Sequence, residues 1–214
     1  MAISITTFPV GLYQCNCSII SDEDSKEAII VDPGSDAEDI IQKVTDKGLK
    51  VKFLLHTHAH LDHFGATDKV KKHCCGAKTV LHKEDLFLYD LHREQSAMLQ
   101  LPPTEVSPID HFLGDEEEFE FGSDNLKAIV TPGHTPGSTC FKLETSEKQI
   151  IFSGDTLFRS SIGRTDLPGG DSQKIVKSIK SRLYSLDGDF TVIPGHGPST
   201  SIGFEKKNNM FVQG

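Results

Sequence analysis

Short apolar runs that alternate with amphipathic segments predict a mixed fold, α/β or α+β. Three observations carry that expectation. Candidate strands cluster in both halves of the chain, with helical segments between them. The apolar runs are short and close on Gly, Pro, Asp or Ser, as strands do. No linker, low-complexity segment or short-period repeat divides the 214 residues, so they are expected to form a single domain, 1–214.

In chain order, residues 3–8 and 14–20 show the partial alternation of strands. Glu27–Val31 is a third, closed by Asp32-Pro33-Gly34. Ser35 with Glu38 three places on has the form of a capping box. Ala37, Ile40, Ile41 and Val44 then fall on one helical face, and Gly48 stands where a C-cap belongs. Residues 51–55 are the next strand, 65–72 a helix and 78–81 a strand. Residues 83–98 predict one longer helix, and 101–114, with three prolines, a loop. The acidic run 115–118 reads as a solvated turn into a strand around Phe119. Residues 126–131, 139–143 and 149–153 read as strands. Residues 171–186 predict a helix with Ile175, Val176, Ile179 and Leu183 toward the core, 190–193 a last strand, and the tail a short helix.

Composition excludes several classes. With 36% apolar and 25% charged residues the chain is an ordinary globular sequence. Its net charge of -9 repels phosphate backbones, so no nucleic acid partner is expected. No apolar stretch approaches the roughly 18 residues of a membrane span, so no membrane is expected. The start, MAISITTFPV, lacks a basic n-region and Arg-rich character, and predicts no signal or transit peptide. Five cysteines, an odd number, fit reduced packed thiols and a cytoplasmic location better than a disulfide framework. The spacings of Cys15 and Cys17, and of Cys74 and Cys75, match no common zinc motif.

The chain spends four of its 10 His between His56 and His63, just after an apolar strand. His58, His60, Asp62 and His63 form H-x-H-x-D-H. Residues two apart in an extended segment point the same way, so His58 and His60 can reach one ion. Asp62 and His63 fall where the chain turns toward Gly65 and aim at a second point. Imidazole and carboxylate donors suit zinc, and also iron or manganese, better than calcium or magnesium. Three further donors stand in similar contexts, each after a predicted strand among Gly and Pro: His134 in T-P-G-H-T-P-G, Asp155 in F-S-G-D-T and His196 in P-G-H-G-P. Scattered surface histidines would not share that context. His56 is expected to be a supporting or packing residue, and His73, His82, His92 and His111 surface or cap residues.

Taken together, T-H-A-H-L-D-H, T-P-G-H-T-P-G, F-S-G-D-T-L-F with G-R-T-D, and I-P-G-H-G-P resemble the metallo-β-lactamase superfamily, within it the glyoxalase II-like hydroxyacylglutathione hydrolases. The motifs span residues 57–198, and VGLYQCNCSII and AIIVDPG look like the family's opening hairpins. The resemblance implies an αββα sandwich: two mixed β-sheets packed face to face with helices outside. It implies two divalent metal ions, zinc foremost. His58, His60 and His134 would hold the first, Asp62, His63 and His196 the second, and Asp155 would bridge. G-H-G-P replaces the G-H-E-Y of two-domain relatives, so a helical C-terminal glutathione-binding domain is not expected. The implied activity is hydrolysis of a small anionic thioester, S-D-lactoylglutathione or a related hydroxyacylglutathione. Its nucleophile would be a metal-bridging hydroxide, with Asp62 and Asp155 as catalytic carboxylates. A thiolate leaves without a proton donor, since a thiol pKa lies near 8.5. Arg159 and Arg164 are candidates for a substrate carboxylate, Arg164 with a salt bridge to Asp166 as its alternative. Two rival functions stand beside this one: a persulfide dioxygenase with one iron on His58, His134 and Asp155, and a non-catalytic metal-binding module.

Overall fold

The computed structural model describes residues 3–214; of the stretch 1–10 on which the absence of a signal or transit peptide is expected, Met1 and Ala2 lie outside the described residues. The first half builds β1 (Ile3–Val10), β2 (Cys15–Asp22), β3 (Glu27–Val31), β4 (Lys50–Leu55), β5 (Lys78–His82) and β6 (His111–Leu113) into one sheet, in that order. The pairs β1–β2 and β2–β3 are antiparallel and the rest parallel, so the sheet is mixed. The second half supplies β7 (Glu118–Phe121), β8 (Asp124–Val130), β9 (Thr139–Glu144) and β10 (Gln149–Gly154). A small hairpin follows, β11 (Leu157–Phe158) with β12 (Ser161–Ile162), then β13 (Thr191–Pro194) and β14 (Thr200–Ser201). The second sheet runs β14-β13-β10-β9-β8-β7, and only β10 and β13 pair in parallel.

Side chains alternate across each strand, so a strand buried on both faces reads as nearly continuous apolar sequence. In β3, Ile29 and Val31 face the other sheet, while Ala28 and Ile30 face helices. Ile20, Leu55 and Val80 from the first sheet meet Phe119, Phe121, Phe141 and Phe152 from the second, forming the sandwich interior. On the outer face of the first sheet pack α1 (Ala37–Asp46) and, beyond the short α2 (Leu61–Phe64), α3 (Thr67–His73). Against that side but further along lie α4 (Leu86–Asp90) and α5 (His92–Met98). The outer face of the second sheet carries α6 (Ser172–Ser178) and α7 (Ile202–Asn208). Helix, sheet, sheet, helix: this is the αββα sandwich.

Several local expectations are corrected. Ser35 is not the cap of α1; Asp36 takes that place at φ 51°, and its carboxylate accepts from the Gly11 N–H at 2.7 Å. The C-terminus is as expected: Gly48 at φ 62° allows its N–H to reach Thr45 O and that of Leu49 to reach Val44 O, a Schellman pattern. Residues 83–98 are not one helix; a 3-10 turn, Lys83–Asp85, precedes α4, and Leu91 at φ -84°, ψ 21° separates α4 from α5. The loop 101–114 ends in a strand, β6, which completes the sheet edge. The acidic turn is also as expected: Asp115 and Glu116 form an exposed turn ahead of β7, where Asp115 pairs with Arg182 and accepts from the Val130 N–H. The helix over 171–186 changes to a π-turn over Ile179–Leu183, which buries Ile179 and Leu183 against the sheet.

Candidate metal centre

The donors all lie just beyond strand ends. Asp32 follows β3, residues 56–63 follow β4, His134 lies beyond β8, Asp155 follows β10, and His196 follows β13 after Gly195. β3 and β4 are parallel neighbours, as are β10 and β13, so each pair opens its loops toward one rim of its sheet. Sites of α/β proteins commonly form at such rims. His60 is extended, at φ -84° and ψ 140°, and α2 starts with the next residue. His58 therefore projects from the bend after β4, His60 from extended chain, and Asp62 and His63 from the helical turn.

All seven predicted donors are brought together. His60 Nδ1 lies 3.0 Å from both His58 Nε2 and His134 Nε2. His63 Nε2 lies 3.2 Å from His196 Nε2, which is 3.3 Å from Asp62 Oδ2. Asp155 stands between the groups: Oδ1 is 3.5 Å from His63 Nε2 and 3.7 Å from His196 Nε2, and Oδ2 is 3.6 Å from His134 Nε2. Within each of the sets His58–His60–His134, His58–His63–Asp155 and Asp62–His63–His196, one ligand atom per residue lies within 4.8 Å of the others.

The far side of each ring is fixed. Thr57 donates its hydroxyl to Asp32 Oδ2 at 2.7 Å, so its oxygen is left to accept from His58 Nδ1 at 3.1 Å. His63 Nδ1 donates to Asp32 Oδ2 at 3.0 Å, His134 Nδ1 to Arg164 O at 2.8 Å, and His196 Nδ1 to Tyr13 O at 2.8 Å. A hydrogen on Nδ1 leaves the Nε2 lone pair for a cation, and such support is the usual way ligating rings are oriented. Asp32, which also accepts from the Thr57 N–H at 2.8 Å, thus serves rings in both sets. Sequence reasoning read it only as part of a turn. Its signal was there: a carboxylate directly after an apolar strand, ahead of Pro-Gly, is placed for burial at a strand end.

Burial, with the neighbouring imidazoles adding to it, pushes His58 well below the ordinary imidazole range and His60 down to about 3. Burial also opposes a charge on His63, but Cys15, Asp155, Asp62 and Asp32 outweigh it and raise that ring well above its ordinary range. Burial likewise opposes ionisation of Asp62, yet His63 and His196 hold its carboxyl well below the carboxylate range.

These residues fit divalent cations on two grounds. Asp155 Oδ1 is buried and has no hydrogen-bond partner among the described residues, a costly state for a carboxylate oxygen unless a cation meets it. The donors are also spaced correctly: tetrahedral nitrogens about 2.0–2.1 Å from zinc stand roughly 3.3 Å apart, close to the 3.0–3.2 Å between these rings. Gly195 belongs to the same geometry, because a Cβ there would collide with Asp155 Oδ1 and press on His63 Cε1.

The other sequence candidates are placed as follows. Arg164 turns its guanidinium to Asp166 in a two-bonded pair, 2.7 Å each, and gives the site its carbonyl. Arg159 lies over the Phe204 ring, 5.9 Å from its centre. His56 is buried, bonded to Val80 O and Thr67 Oγ1, and packs rather than faces the donors. His82 caps the 3-10 turn at Lys83–Asp85, and His73 and His111 bond to Thr45 and Glu117. All five cysteines are free, only Cys75 being exposed. No helix among the described residues is long and apolar enough to cross a membrane.

Comparison with known proteins agrees with this geometry. The model of the metallo-beta-lactamase superfamily matches residues 10–199. The chain is 40% identical over 211 residues, 98% of both chains, to the hydroxyacylglutathione hydrolase GloC of Haemophilus influenzae. Among solved structures it is similar to the BLEG-1 B3 metallo-beta-lactamase, with TM-score 0.86 and 36% identity over 99% of this chain and 100% of that one. It is also similar to TTHA1623 in a di-iron-bound form, with TM-score 0.84 and 33% identity over 97% of this chain and 100% of that one.

Proposed function

The chain belongs to the metallo-beta-lactamase superfamily, and from that premise we propose that it is a binuclear metal hydrolase that cleaves a small anionic thioester, S-D-lactoylglutathione or a related hydroxyacylglutathione. The observation that carries the binuclear reading is Asp155, whose two oxygens face different donor sets while Oδ1 lacks a hydrogen bond among the described residues. His58, His60 and His134 would hold one ion and Asp62, His63 and His196 the other. Zinc suits these donors; iron does too, and is what TTHA1623 holds in its di-iron form. When bound, such ions supply a water of lowered pKa and Lewis acidity for a carbonyl oxygen.

The chain's own residues do the rest. Asp32, Thr57, Arg164 O and Tyr13 O fix the rings so that the donor atoms converge before substrate arrives, which removes a reorganisation cost from the reaction. Asp62, kept ionised by His63 and His196, offers a carboxylate oxygen to orient the attacking hydroxide. The thioester is favoured because its thiolate leaves unprotonated. Likeness to a B3 metallo-beta-lactamase raises a second substrate, a β-lactam, whose leaving nitrogen must instead take up a proton. Unpaired cysteines support a reduced, cytoplasmic setting.

The test is a panel of thioesters, β-lactams and glutathione persulfide on enzyme of measured metal content. Close to two ions per chain, with thioester loss and no oxygen uptake, is the expected result. One iron per chain with oxygen consumption on the persulfide would replace this reading with the dioxygenase. Two ions with no turnover on the whole panel would favour the metal-binding module.

A further inference from the structure

We propose that Asp85 is a positioning residue that clamps together the two loops carrying His58, His60 and His134. The inference rests on the reading of these three as ligands of one ion. Asp85 lies at the start of α4, where an Asp ordinarily caps its own helix. It makes no such cap; its side chain turns inward and is wholly buried. Oδ2 accepts from the Ala59 N–H at 3.1 Å and from the Thr135 hydroxyl at 2.7 Å, and Oδ1 accepts from the Gly137 N–H at 2.6 Å. Ala59 sits between His58 and His60, and Thr135 follows His134. One carboxylate thus ties the peptide between two donors of the first half to the loop that brings the third from the second half.

Its neighbours are shaped to it. A Cβ on Gly137 would lie 2.8 Å from Asp85 Cγ and Oδ1, so the second glycine of T-P-G-H-T-P-G makes room for this side chain. Ser138 Oγ accepts from the Thr135 N–H at 2.9 Å and lies 2.8 Å from Thr135 Oγ1, whose own hydrogen goes to Asp85. The second set has no share in this clamp, since its rings are supported through Asp32 and Tyr13 O.

An amide of the same size cannot replace the carboxylate. Both oxygens of Asp85 accept a backbone N–H, so either orientation of Asn points its NH2 at a donor. The experiment is therefore Asp85→Asn in two backgrounds, with metal affinity read by chelator competition on refolded, metal-free protein. His196→Ala leaves the first set intact, and His58→Ala leaves the second. Expected is a loss of about 10- to 100-fold in zinc affinity in the first background, the range for removing a group that supports a ligand, and affinity within about twofold in the second. Equal losses in both would make Asp85 a general stabiliser and overturn the inference, as would no loss in either. Thr135→Val, which removes one of the three donors, is measured in parallel, and a smaller loss confined to the first set is expected even where Asp85→Asn fails to fold. Losses from Thr135→Val in both backgrounds, or in neither, would equally overturn the clamp. Failure of the parent chain to bind two ions would instead sink the ligand assignment itself.

Discussion

The two donor sets share a wall at Asp155 but differ in chemistry. His58, His60 and His134 are all imidazoles, drawn from both halves of the chain; His58 and His134 are buried and His60 is half-buried. Burial keeps His58 and His60 uncharged at neutral pH. Asp62, His63 and His196 include a carboxylate; His63 is wholly buried, while Asp62 and His196 reach toward solvent with side-chain exposures of 19% and 26%. There, burial is outweighed by Asp62 and Asp155 at His196, and by Cys15 and the acids at His63, so both rings are raised in the metal-free chain. His58 and His60 are thus ready for a cation as they stand, whereas His63 and His196 must give up protons to take one. Adjacent sites built from nearly the same residue types are set apart by how many carboxylates each ring meets.

The largest test of that contrast removes what the two sets share. Asp155→Ala should lower the affinity for both ions and reduce turnover by more than about 100-fold, beyond the effect of removing a supporting group. Metal analysis and thioester turnover check it, and retention of both ions would mean that the sets do not share Asp155. His58→Ala should abolish the first ion and turnover, while His196→Ala should spare the first ion and weaken the second; the count of ions per chain separates them. Acid should then act on the sets in order. His63 and His196 hold protons in the folded metal-free chain above the pH where an unfolded His loses them. Their stabilising contribution is complete below about pH 6.5 and fades as pH rises through their raised values. Cations favour the same deprotonation, so the second ion should weaken by about tenfold per pH unit for each proton it displaces, and leave first on acidification. The lowered values of His58 and His60 have the opposite sign, reducing the stability of the metal-free fold as pH falls below about 6.5. Metal titrations between pH 5.5 and 8, a range of about two and a half units around the unperturbed imidazole value, read the order directly. The smallest effect belongs to Arg164→Ala: its exposed pair with Asp166 predicts a change in KM below about fivefold, and a larger one would make its guanidinium a substrate contact.

The donors were legible in the sequence because each is local: a short motif after an apolar strand, stiffened by Gly or Pro. The strands were legible for a similar reason, since β3 and β10 carry apolar residues on both faces and β1 and β2 alternate in part. What escaped depends on distant partners. Asp36 replaces Ser35 as the cap because Gly11, 25 residues earlier, donates to it. The predicted helix over 83–98 breaks in part where Asp85 turns to Ala59, Thr135 and Gly137, contacts that no helical periodicity encodes. The edge strand β6 is three residues long and exists only because β5 lies beside it. Asp32 carried a local hint, but its service to rings in both sets required the fold.

The two large sheets come from successive stretches of chain, β1 to β6 from residues 3–113 and β7 to β10 with β13 and β14 from 118–201. During synthesis from the N-terminus, the four donors between His58 and His63 therefore emerge well before His134, Asp155 and His196 exist. A growing chain can offer a cation only half a coordination shell, so tight capture waits on the docking of the late sheet. On the binuclear reading proposed above, acquisition of the metal pair becomes a report that the sandwich has closed, and chelators should retard the last stage of refolding more than the first.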